Sequence, residues 1–253
     1  MNTIPIVEIF GNTVQGEGPN VGARCIFVRV KGCSFNCSWC DSKFTWNSDS
    51  YPAIKYSSQE LIDKLNTMVS ETNCNRIVLT GGNPCLYDFT EVIHSLRSKV
   101  SFDVETQGDL LPEWLDLVET IVFSPKAPSS GMKDTYDQIT TYLRTRFDGS
   151  QQVAIKIPVF TDEDVEFARR YSRLLNEYLD TGIYQLRMYL NNNLRMYLSV
   201  GNSDVDDPGQ IRDRVLSDYE SLLNRINESP KDFENVYILP QVHTLVWGNK
   251  QGV

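Results

Sequence analysis

KGCSFNCSWCDSKFTW, residues 31–46, carries three cysteines, Cys33, Cys37 and Cys40, in the spacing C-x3-C-x2-C. Three thiols this close together can all reach one inorganic centre. Iron–sulfur clusters normally take four cysteine thiolates, and no fourth cysteine stands nearby in the sequence. The stretch therefore predicts a cluster on three cysteines, with one iron left to bind something other than protein.

A zinc site, a disulfide and unliganded cysteines are the other interpretations of this stretch. Zinc sites usually add a second close pair of cysteine or histidine ligands, and no such pair lies beside the three cysteines. A disulfide would use two of the three thiols and leave the third without a partner. The spacing favours an iron–sulfur cluster over zinc or free thiols.

The bulk composition is that of an ordinary globular protein, with 41% hydrophobic and 23% charged residues among 253. This length allows one large domain or two small ones, and α/β barrels of this size are commonly single. The net charge of −9 repels phosphate backbones, and no run of lysine or arginine offsets it. We expect no direct nucleic-acid partner.

The start of the chain and its cysteine usage indicate the compartment. Residues 1–10 show no secretory leader pattern, and no apolar run approaches the about 18 residues of a membrane helix. Six cysteines in such a chain are typical of a reducing environment. We expect a soluble cytoplasmic protein without membrane contact.

Strands and helices alternate along most of the chain. Residues 24–30 predict a strand that ends at Gly32, directly before the cysteines, and residues 76–80 predict a strand that runs into Gly81 and Gly82. Ser57 and Glu60 form a capping-box pattern at a helix start. Residues 4–10 form a short apolar segment. Further strands are expected at 101–105, 120–123, 153–160 and 235–239, and further helices at 87–99, 112–117, 136–146, 161–179 and 207–227.

Polar residues recur where these strands end. In a parallel sheet the carboxyl ends of the strands meet at one edge, where ligands bind. We therefore expect that edge to bring together the cysteine loop and a polar set, although each member has the alternative of capping the next helix. The set is Thr80, Glu105, Gln107, Ser124 and Lys126.

Several single features carry their own predictions. Residues 11–22 contain four glycines and a proline and predict a loop, which is not a dinucleotide fingerprint because no helix pattern follows. Arg29, in an apolar strand, needs either an anion or a carboxylate partner. Cys25 is expected to be a buried apolar residue. The repeated LRMYL at 186–190 and 194–198 indicates a hairpin or a local duplication.

Six segments, distributed along nearly the whole chain, resemble the 7-carboxy-7-deazaguanine synthase family of the radical S-adenosylmethionine (SAM) superfamily. They are VEIFGNTVQGEG at 7–18, RVKGCSFNCSWCDSKFTW at 29–46, TGGNP at 80–84, ETQG at 105–108, SPKAPSS at 124–130 and PQVHTLVWGNKQGV at 240–253. The resemblance implies an α/β fold, a partial (β/α) barrel of the radical SAM type with a shortened core, as a single domain over residues 1–253. Residues 184–202 match least.

The resemblance also implies the chemistry. A [4Fe–4S] cluster on the three cysteines would bind SAM through its open iron, and reductive cleavage of SAM would give a 5′-deoxyadenosyl radical. That radical would take a hydrogen from C6 of 6-carboxy-5,6,7,8-tetrahydropterin, after which the ring contracts and ammonia leaves. The expected product is 7-carboxy-7-deazaguanine, and the cofactor carries the difficult step while the protein orients the substrate.

By the same resemblance, motif positions assign residues to each ligand. The pterin would be bound by Val14, Gln15, Gly16, Glu17, Arg29, Thr80 and His243. SAM would be bound by Gly82, Glu105, Ser124, Pro125 and Lys126, with Trp39, Cys40 and Asp41 beside the cluster. Mg²⁺ would be bound through Ser42, where threonine is common in the family, because a hard cation accepts either hydroxyl.

Partners and departures complete these expectations. The family implies a homodimer and a flavodoxin-like or other electron donor. Asn83 stands where the family more often has glutamate, which changes a carboxylate near SAM into an amide, and the LRMYL duplication alters the last crossover or the dimer surface. The alternatives are an activase that makes a glycyl radical on another protein, and a non-enzymatic metal-bearing interaction module.

Overall fold

Nine strands form a single sheet in a computed structural model of the chain, which describes residues 3–47, 51–180, 192–202, 210–248, 250 and 252. The strands pair in the order β3-β1-β2-β4-β5-β6-β7-β8-β9. They are β1 Ile4–Val14, β2 Arg24–Val30, β3 Ile54–Tyr56, β4 Arg76–Gly81, β5 Ser101–Thr106, β6 Thr120–Phe123, β7 Gln152–Val159, β8 Leu194–Val200 and β9 Val236–Leu239.

From β2 to β9 every pairing is parallel, whereas β1 pairs antiparallel with both β2 and β3. Parallel neighbours need crossovers, and helices supply most of them. The α-helices are α1 Ser58–Thr72, α2 Thr90–Leu96, α3 Tyr136–Thr145, α4 Asp162–Leu179, α5 Ile211–Asn227 and α6 Val242–Trp247. None of the helices in the described residues has the length and apolar character needed to cross a bilayer.

The predicted partial (β/α) barrel with a shortened core is confirmed. The sheet ends in two separate edges, β3 and β9, so the strands do not close into a ring. Between β5 and β6 the crossover contains only a short 3₁₀ helix, Glu113–Leu117, where the sequence pattern predicted a helix at 112–117. Opposite ends of the sheet are joined instead by a backbone hydrogen bond of 3.1 Å from Val242 N to Gly16 O.

The helix starts predicted at Ser57 and at residue 161 are confirmed. Ser57 and Glu60 form a reciprocal capping box at α1, and Leu61, Ile62 and Leu65 face the core as the periodicity predicts. Thr161 caps α4, and Asp164 accepts hydrogen bonds from the backbone nitrogens of Phe160 and Thr161 at 2.9 and 3.1 Å. Local polar patterns of this kind are set within one turn of chain, so the sequence predicts them well.

The loop predicted at residues 11–22 is wrong for its first four residues, which belong to β1. The ladder between β1 and β2 shifts register between Gly11 and Thr13, and Asn12 has a φ of +65°. Asparagine tolerates this conformation, so the chain forms a bulge at Asn12 inside a continuing strand. The turn begins only after Val14, which places Gln15, Gly16 and Glu17 directly at the end of β1.

Two other predictions differ from the structure, and a third falls outside the described residues. The helix predicted at 87–99 is shorter, because α2 covers only Thr90–Leu96. The second LRMYL copy forms most of β8, which pairs in parallel with both β7 and β9. A hairpin is therefore wrong for this strand. The first copy lies outside the described residues. The predicted helix start at Asp207 and Pro208 also lies outside them.

Candidate active site

A cavity of about 540 Å³ opens at the carboxyl ends of the parallel strands. The predicted polar edge is confirmed there, since the whole set from Thr80 to Lys126 lines the cavity beside the cysteine loop. Of the residues assigned by resemblance, all but Pro125 line it: Val14, Gln15, Gly16, Glu17, Arg29, Cys33, Cys37, Trp39, Cys40, Asp41, Ser42, Thr80, Gly82, Glu105, Ser124, Lys126 and His243. Pro125 is buried behind this wall.

The cysteine loop lies against the glycine turn after β4. Gly82 makes the close approach possible, because a Cβ on Gly82 would lie 1.8 Å from the carbonyl oxygen of Gly32. Asn83 N donates to that same oxygen at 2.8 Å, and Gly32 N donates to Thr45 O at 2.9 Å. The two glycine-containing turns therefore fix the position from which the three cysteines extend.

Cys33, Cys37 and Cys40 are free thiols that face the cavity, and N–H groups point at two of them. Cys33 Sγ accepts from the backbone of Phe35 at 3.4 Å and from Gln107 Nε2 at 3.6 Å. Cys40 Sγ accepts from Trp46 Nε1 at 3.4 Å. Such donors stabilise negative charge on sulfur, as cluster ligands require.

Burial raises the pKa of all three thiols, for Cys37 to about 11, despite the opposing positive charge of Lys126. Thiols in this state are protonated near neutral pH, and a bound metal centre supplies the charge that deprotonates them. No three His, Cys, Asp or Glu side chains in the described ranges converge as ligands of one metal ion. Three free thiols on one loop, with N–H donors to Cys33 and Cys40, are a donor set that fits a [4Fe–4S] cluster, which these cysteines would hold.

The SPKAPSS segment forms the wall beside the cysteine loop. Lys126 Nζ donates to Ser124 Oγ at 3.0 Å and lies 5.7 Å from the ring centre of Trp39. Trp39 Nε1 donates to Ser129 Oγ at 2.9 Å. Ser129 N in turn donates to Asp164 Oδ1 at 3.0 Å, so the start of α4 supports this wall.

Glu105 stands between the two sides of the cavity. Its Oε1 accepts from Gln15 Nε2 at 3.0 Å, and its Oε2 accepts from Thr80 Oγ1 at 2.7 Å. Gln15 also accepts from the backbone nitrogen of Glu17 at 3.2 Å. The ends of β1, β4 and β5 are therefore connected by hydrogen bonds between side chains that line one cavity.

The sequence left two partners open for Arg29, an anion or a carboxylate of the protein. The structure pairs it with a carboxylate and also places it at the cavity. Its Nε donates to Glu8 Oε1 at 2.7 Å, and its Nη1 donates to Ser42 Oγ at 3.3 Å. The guanidinium lies between the rings of Phe10 and Phe44, with its carbon 5.9 and 5.7 Å from their centres. Glu8 thus orients the guanidinium by one edge, while the group itself lines the cavity.

A buried ion pair lies beside Gln15, where Lys156 Nζ of β7 is 2.7 Å from Glu17 Oε2. Gln241 Nε2 donates to the other oxygen of Glu17 at 3.2 Å. Burial alone would raise the pKa of Glu17, but Lys156, His243 and the two hydrogen bonds lower it to about 2. Burial alone would lower the pKa of Lys156, but Glu17 and Glu105 raise it above its usual range.

His243 closes this side of the cavity against the turn after β1. A Cβ on Gly16 would lie 2.2 Å from His243 Nδ1, so only glycine allows the imidazole its position. His243 lies on α6, which begins shortly after β9 ends.

Asn83, the departure from the family pattern, does not line the cavity. The side chain is fully buried, with Nδ2 donating to Asp109 Oδ1 at 2.9 Å and Oδ1 accepting from Thr106 Oγ1 at 3.0 Å and Cys85 N at 3.1 Å. The amide therefore joins the ends of β4 and β5 from behind the cavity wall. Its effect on SAM binding stays a prediction.

The three remaining cysteines lie away from the cavity and are buried, as the sequence predicted for Cys25. Cys25, Cys74 and Cys85 are 0, 2 and 7% exposed. Burial raises the pKa of Cys25 and of Cys85 to about 12, so both are inert neutral thiols near neutral pH.

Sequence reasoning missed Glu8, Lys156 and Gln241, which all line the cavity. A signal was available for Lys156, because a lysine inside an apolar strand needs a partner for the same reason that Arg29 does. Gln241 stands only two residues before His243 and shares its segment. No local pattern distinguishes Glu8 from an exposed strand residue, since its role depends on Arg29 in the neighbouring strand.

Comparison with known proteins adds to this geometry. Residues 14–111 match the model of a 4Fe-4S single cluster domain. The 7-carboxy-7-deazaguanine synthase of Bacillus subtilis is 33% identical over 99% of this chain and 98% of its own length. The enzyme of the same name from Bacillus cereus is also 33% identical, over 100% of both chains.

The chain belongs to the 7-carboxy-7-deazaguanine synthase family. Its fold agrees with this, since the crystal structure of QueE from Escherichia coli superposes with a TM-score of 0.61 over 95% of both chains at 23% identity. Membership of the 7-carboxy-7-deazaguanine synthase family decides against a glycyl-radical activase and against a non-enzymatic interaction module. The match over residues 14–111 places the three cysteines within a 4Fe-4S domain.

Proposed function

We propose that this chain, as one domain over residues 1–253, converts 6-carboxy-5,6,7,8-tetrahydropterin to 7-carboxy-7-deazaguanine with loss of ammonia. It is a radical SAM lyase that makes a precursor of queuosine and other 7-deazapurines. The observation that carries the proposal is the single cavity in which the cysteine loop faces Arg29, Glu17 and His243. When bound, the [4Fe–4S] cluster and SAM supply a 5′-deoxyadenosyl radical that takes the hydrogen from C6 of the pterin.

The protein's part on the SAM side is to hold and enclose the cofactor. Cys33, Cys37 and Cys40 hold the cluster, and Lys126 brings positive charge to the wall beside them. The rings of Trp39 and Phe160, with centres 4.8 Å apart and planes tilted by 32°, keep that wall apolar and exclude water. SAM binds along this wall and beside the cysteine loop. The residues that bind it are Trp39, Cys40, Asp41, Gly82, Glu105, Ser124, Pro125 and Lys126.

The protein's part on the pterin side is to fix the substrate's position and charge. Arg29, already oriented by Glu8, pairs with the substrate carboxylate, which a guanidinium can bind through two parallel hydrogen bonds. Val14, Gln15, Gly16, Glu17, Thr80 and His243 surround the ring system. Because Gln15 and Thr80 both bond to Glu105, the pterin side is held in a fixed relation to the SAM side.

Mg²⁺ and the protein partners belong to the same proposal. Ser42 Oγ donates to Asp41 Oδ1 at 3.0 Å and accepts from Arg29, so hydroxyl and carboxylate oxygens lie together where the substrate carboxylate is expected. Oxygen ligands of this kind suit Mg²⁺. We also expect a homodimer that works in the cytoplasm and takes its electron from a flavodoxin-like or other donor.

The decisive experiment is a turnover assay under anaerobic conditions. Cluster-loaded protein is reduced, given SAM, Mg²⁺ and 6-carboxytetrahydropterin, and the products are separated and identified by mass. We expect 7-carboxy-7-deazaguanine to form together with ammonia. An active cluster that cleaves SAM but forms no deazaguanine would contradict the proposed function.

Arg29→Lys is expected to weaken pterin binding while SAM cleavage survives. Lysine keeps the charge but cannot make two parallel bonds to a carboxylate, nor replace the edge that Glu8 binds. We expect KM for the pterin to rise by about tenfold or more. The measurement compares KM with the rate of uncoupled SAM cleavage.

One result would contradict this assignment of Arg29. Loss of SAM cleavage together with pterin binding would place the residue in the structural core. Lys55→Arg, at an exposed position of β3, is a control for basic substitutions and should leave both rates unchanged.

A further inference from the structure

Lys156 is a buried lysine that no predicted role accounts for. It lies on β7, is 8% exposed, and lines the cavity. A buried ammonium is unfavourable unless it is paired and hydrogen-bonded. Its hydrogen-bond partner in the described residues is Glu17, on the turn after β1, 139 positions away in the chain.

Glu17 is held at three points around its carboxylate and backbone. Oε2 accepts from Lys156 at 2.7 Å, Oε1 accepts from Gln241 at 3.2 Å, and the backbone nitrogen donates to Gln15 Oε1 at 3.2 Å. Each carboxylate oxygen has two acceptor positions, so both oxygens can accept a further hydrogen bond. The carboxylate is therefore fixed in orientation and still able to bind a ligand.

The charges around this pair come from every element packed against it. Glu17 faces Lys156 of β7 and His243 of α6. Lys156 faces Glu17, Glu105 of β5 and Asp41 of the cysteine loop. Lys156 is the strongest of the charges that lower the pKa of Glu17, so its removal would leave burial to raise that pKa.

We propose that Lys156 is a positioning residue, which acts through Glu17 to keep an ionised and fixed carboxylate facing the pterin. This inference rests on the proposed function, since it names how one part of that substrate is recognised. A pterin carries an amino group and a ring N–H side by side, and a carboxylate accepts from such a pair of donors through both oxygens. A Glu17 side chain that is protonated or rotated could not accept both of these hydrogen bonds.

The test is a double-mutant cycle on the cluster-loaded enzyme, with kcat and KM for the pterin measured from about pH 6 to about pH 9. The variants are Lys156→Met, Glu17→Gln, the double variant and Lys156→Arg. Methionine keeps the length of the lysine stem and removes only its charge and hydrogen bonds. Arginine retains the positive charge and should restore much of the affinity.

If Lys156 acts through Glu17, Lys156→Met raises KM by about tenfold or more. The defect should grow as the pH falls, because a raised pKa leaves fewer Glu17 carboxylates ionised at low pH. Glu17→Gln should raise KM without this pH dependence, and the double variant should match Glu17→Gln. The double variant leaves no unpaired buried charge, so this comparison stands even if Lys156→Met folds poorly.

Two results would overturn the inference while leaving the proposed function intact. One is that the wild-type enzyme is active and the double variant raises KM by the product of the two single-variant effects. The other is a Lys156→Met enzyme whose kcat falls while KM and its pH dependence stay as in the wild type. A cluster-loaded wild-type enzyme that makes no deazaguanine would instead refute the proposed function, and the inference with it.

Discussion

Cys37→Ala is expected to abolish cluster binding and SAM cleavage while the fold is retained. Cys37 is 6% exposed and lines the cavity. The positive charge of Lys126 lowers the pKa of its thiol, and the charges of Cys33 and Cys40 raise it. Two remaining thiolates cannot hold a [4Fe–4S] cluster that leaves one iron open, because a second iron would lose its ligand. The cysteine loop lies outside the sheet, so we expect the free energy of unfolding of the apo-protein to change by about 1 kcal/mol or less.

The measurements are iron and sulfide content after anaerobic reconstitution, and 5′-deoxyadenosine formation with a chemical reductant. Cys74→Ala is the matched control, since Cys74 is 2% exposed and packs in the hydrophobic core. That variant should keep its iron while losing about 1 kcal/mol or more of stability through the smaller side chain. Turnover retained by Cys37→Ala would refute the ligand assignment.

Gly82→Ala is expected to damage both stability and cluster binding. The added Cβ would lie 1.8 Å from Gly32 O and 3.1 Å from Cys33 N, which are backbone atoms that cannot rotate away. The turn after β4 and the cysteine loop must therefore separate, which breaks the bond from Asn83 N to Gly32 O. We expect a loss of about 3 kcal/mol in the free energy of unfolding.

The readouts are thermal unfolding of the apo-protein and iron content after reconstitution. Gly22→Ala is the control for an added methyl group, because nothing lies within 4 Å of a Cβ on Gly22, although its φ of +83° makes the substitution strained. It should lose only about 1 kcal/mol from backbone strain and keep its iron. If Gly82→Ala behaves like Gly22→Ala, the close approach of the two loops is not needed for cluster binding.

The sequence was sufficient for features that depend on near neighbours. The spacing of Cys33, Cys37 and Cys40, the capping box at Ser57, and the strand Arg24–Val30 all follow from residues within one turn or one strand. Alternating strands and helices then predict parallel pairing, and that pairing brings Glu105 and Lys126 to the same edge as the cysteine loop. Each step uses local chemistry and a general rule of sheets.

Only the tertiary structure decided contacts between segments far apart in the chain. The Lys156–Glu17 pair, the Glu8–Arg29 pair and the approach of Gly82 to Gly32 each join two elements. The bulge that extends β1 through Val14 depends on pairing with β2, which the sequence of β1 does not contain.

The cysteine spacing by itself thus predicted an iron–sulfur cluster at this loop with one iron left open. The structure decided which side chains line the cavity beside the cysteine loop and which charges are paired there. The physical reason is that ligand spacing lies within one loop, whereas burial, orientation and charge pairing depend on chain segments that meet only after folding.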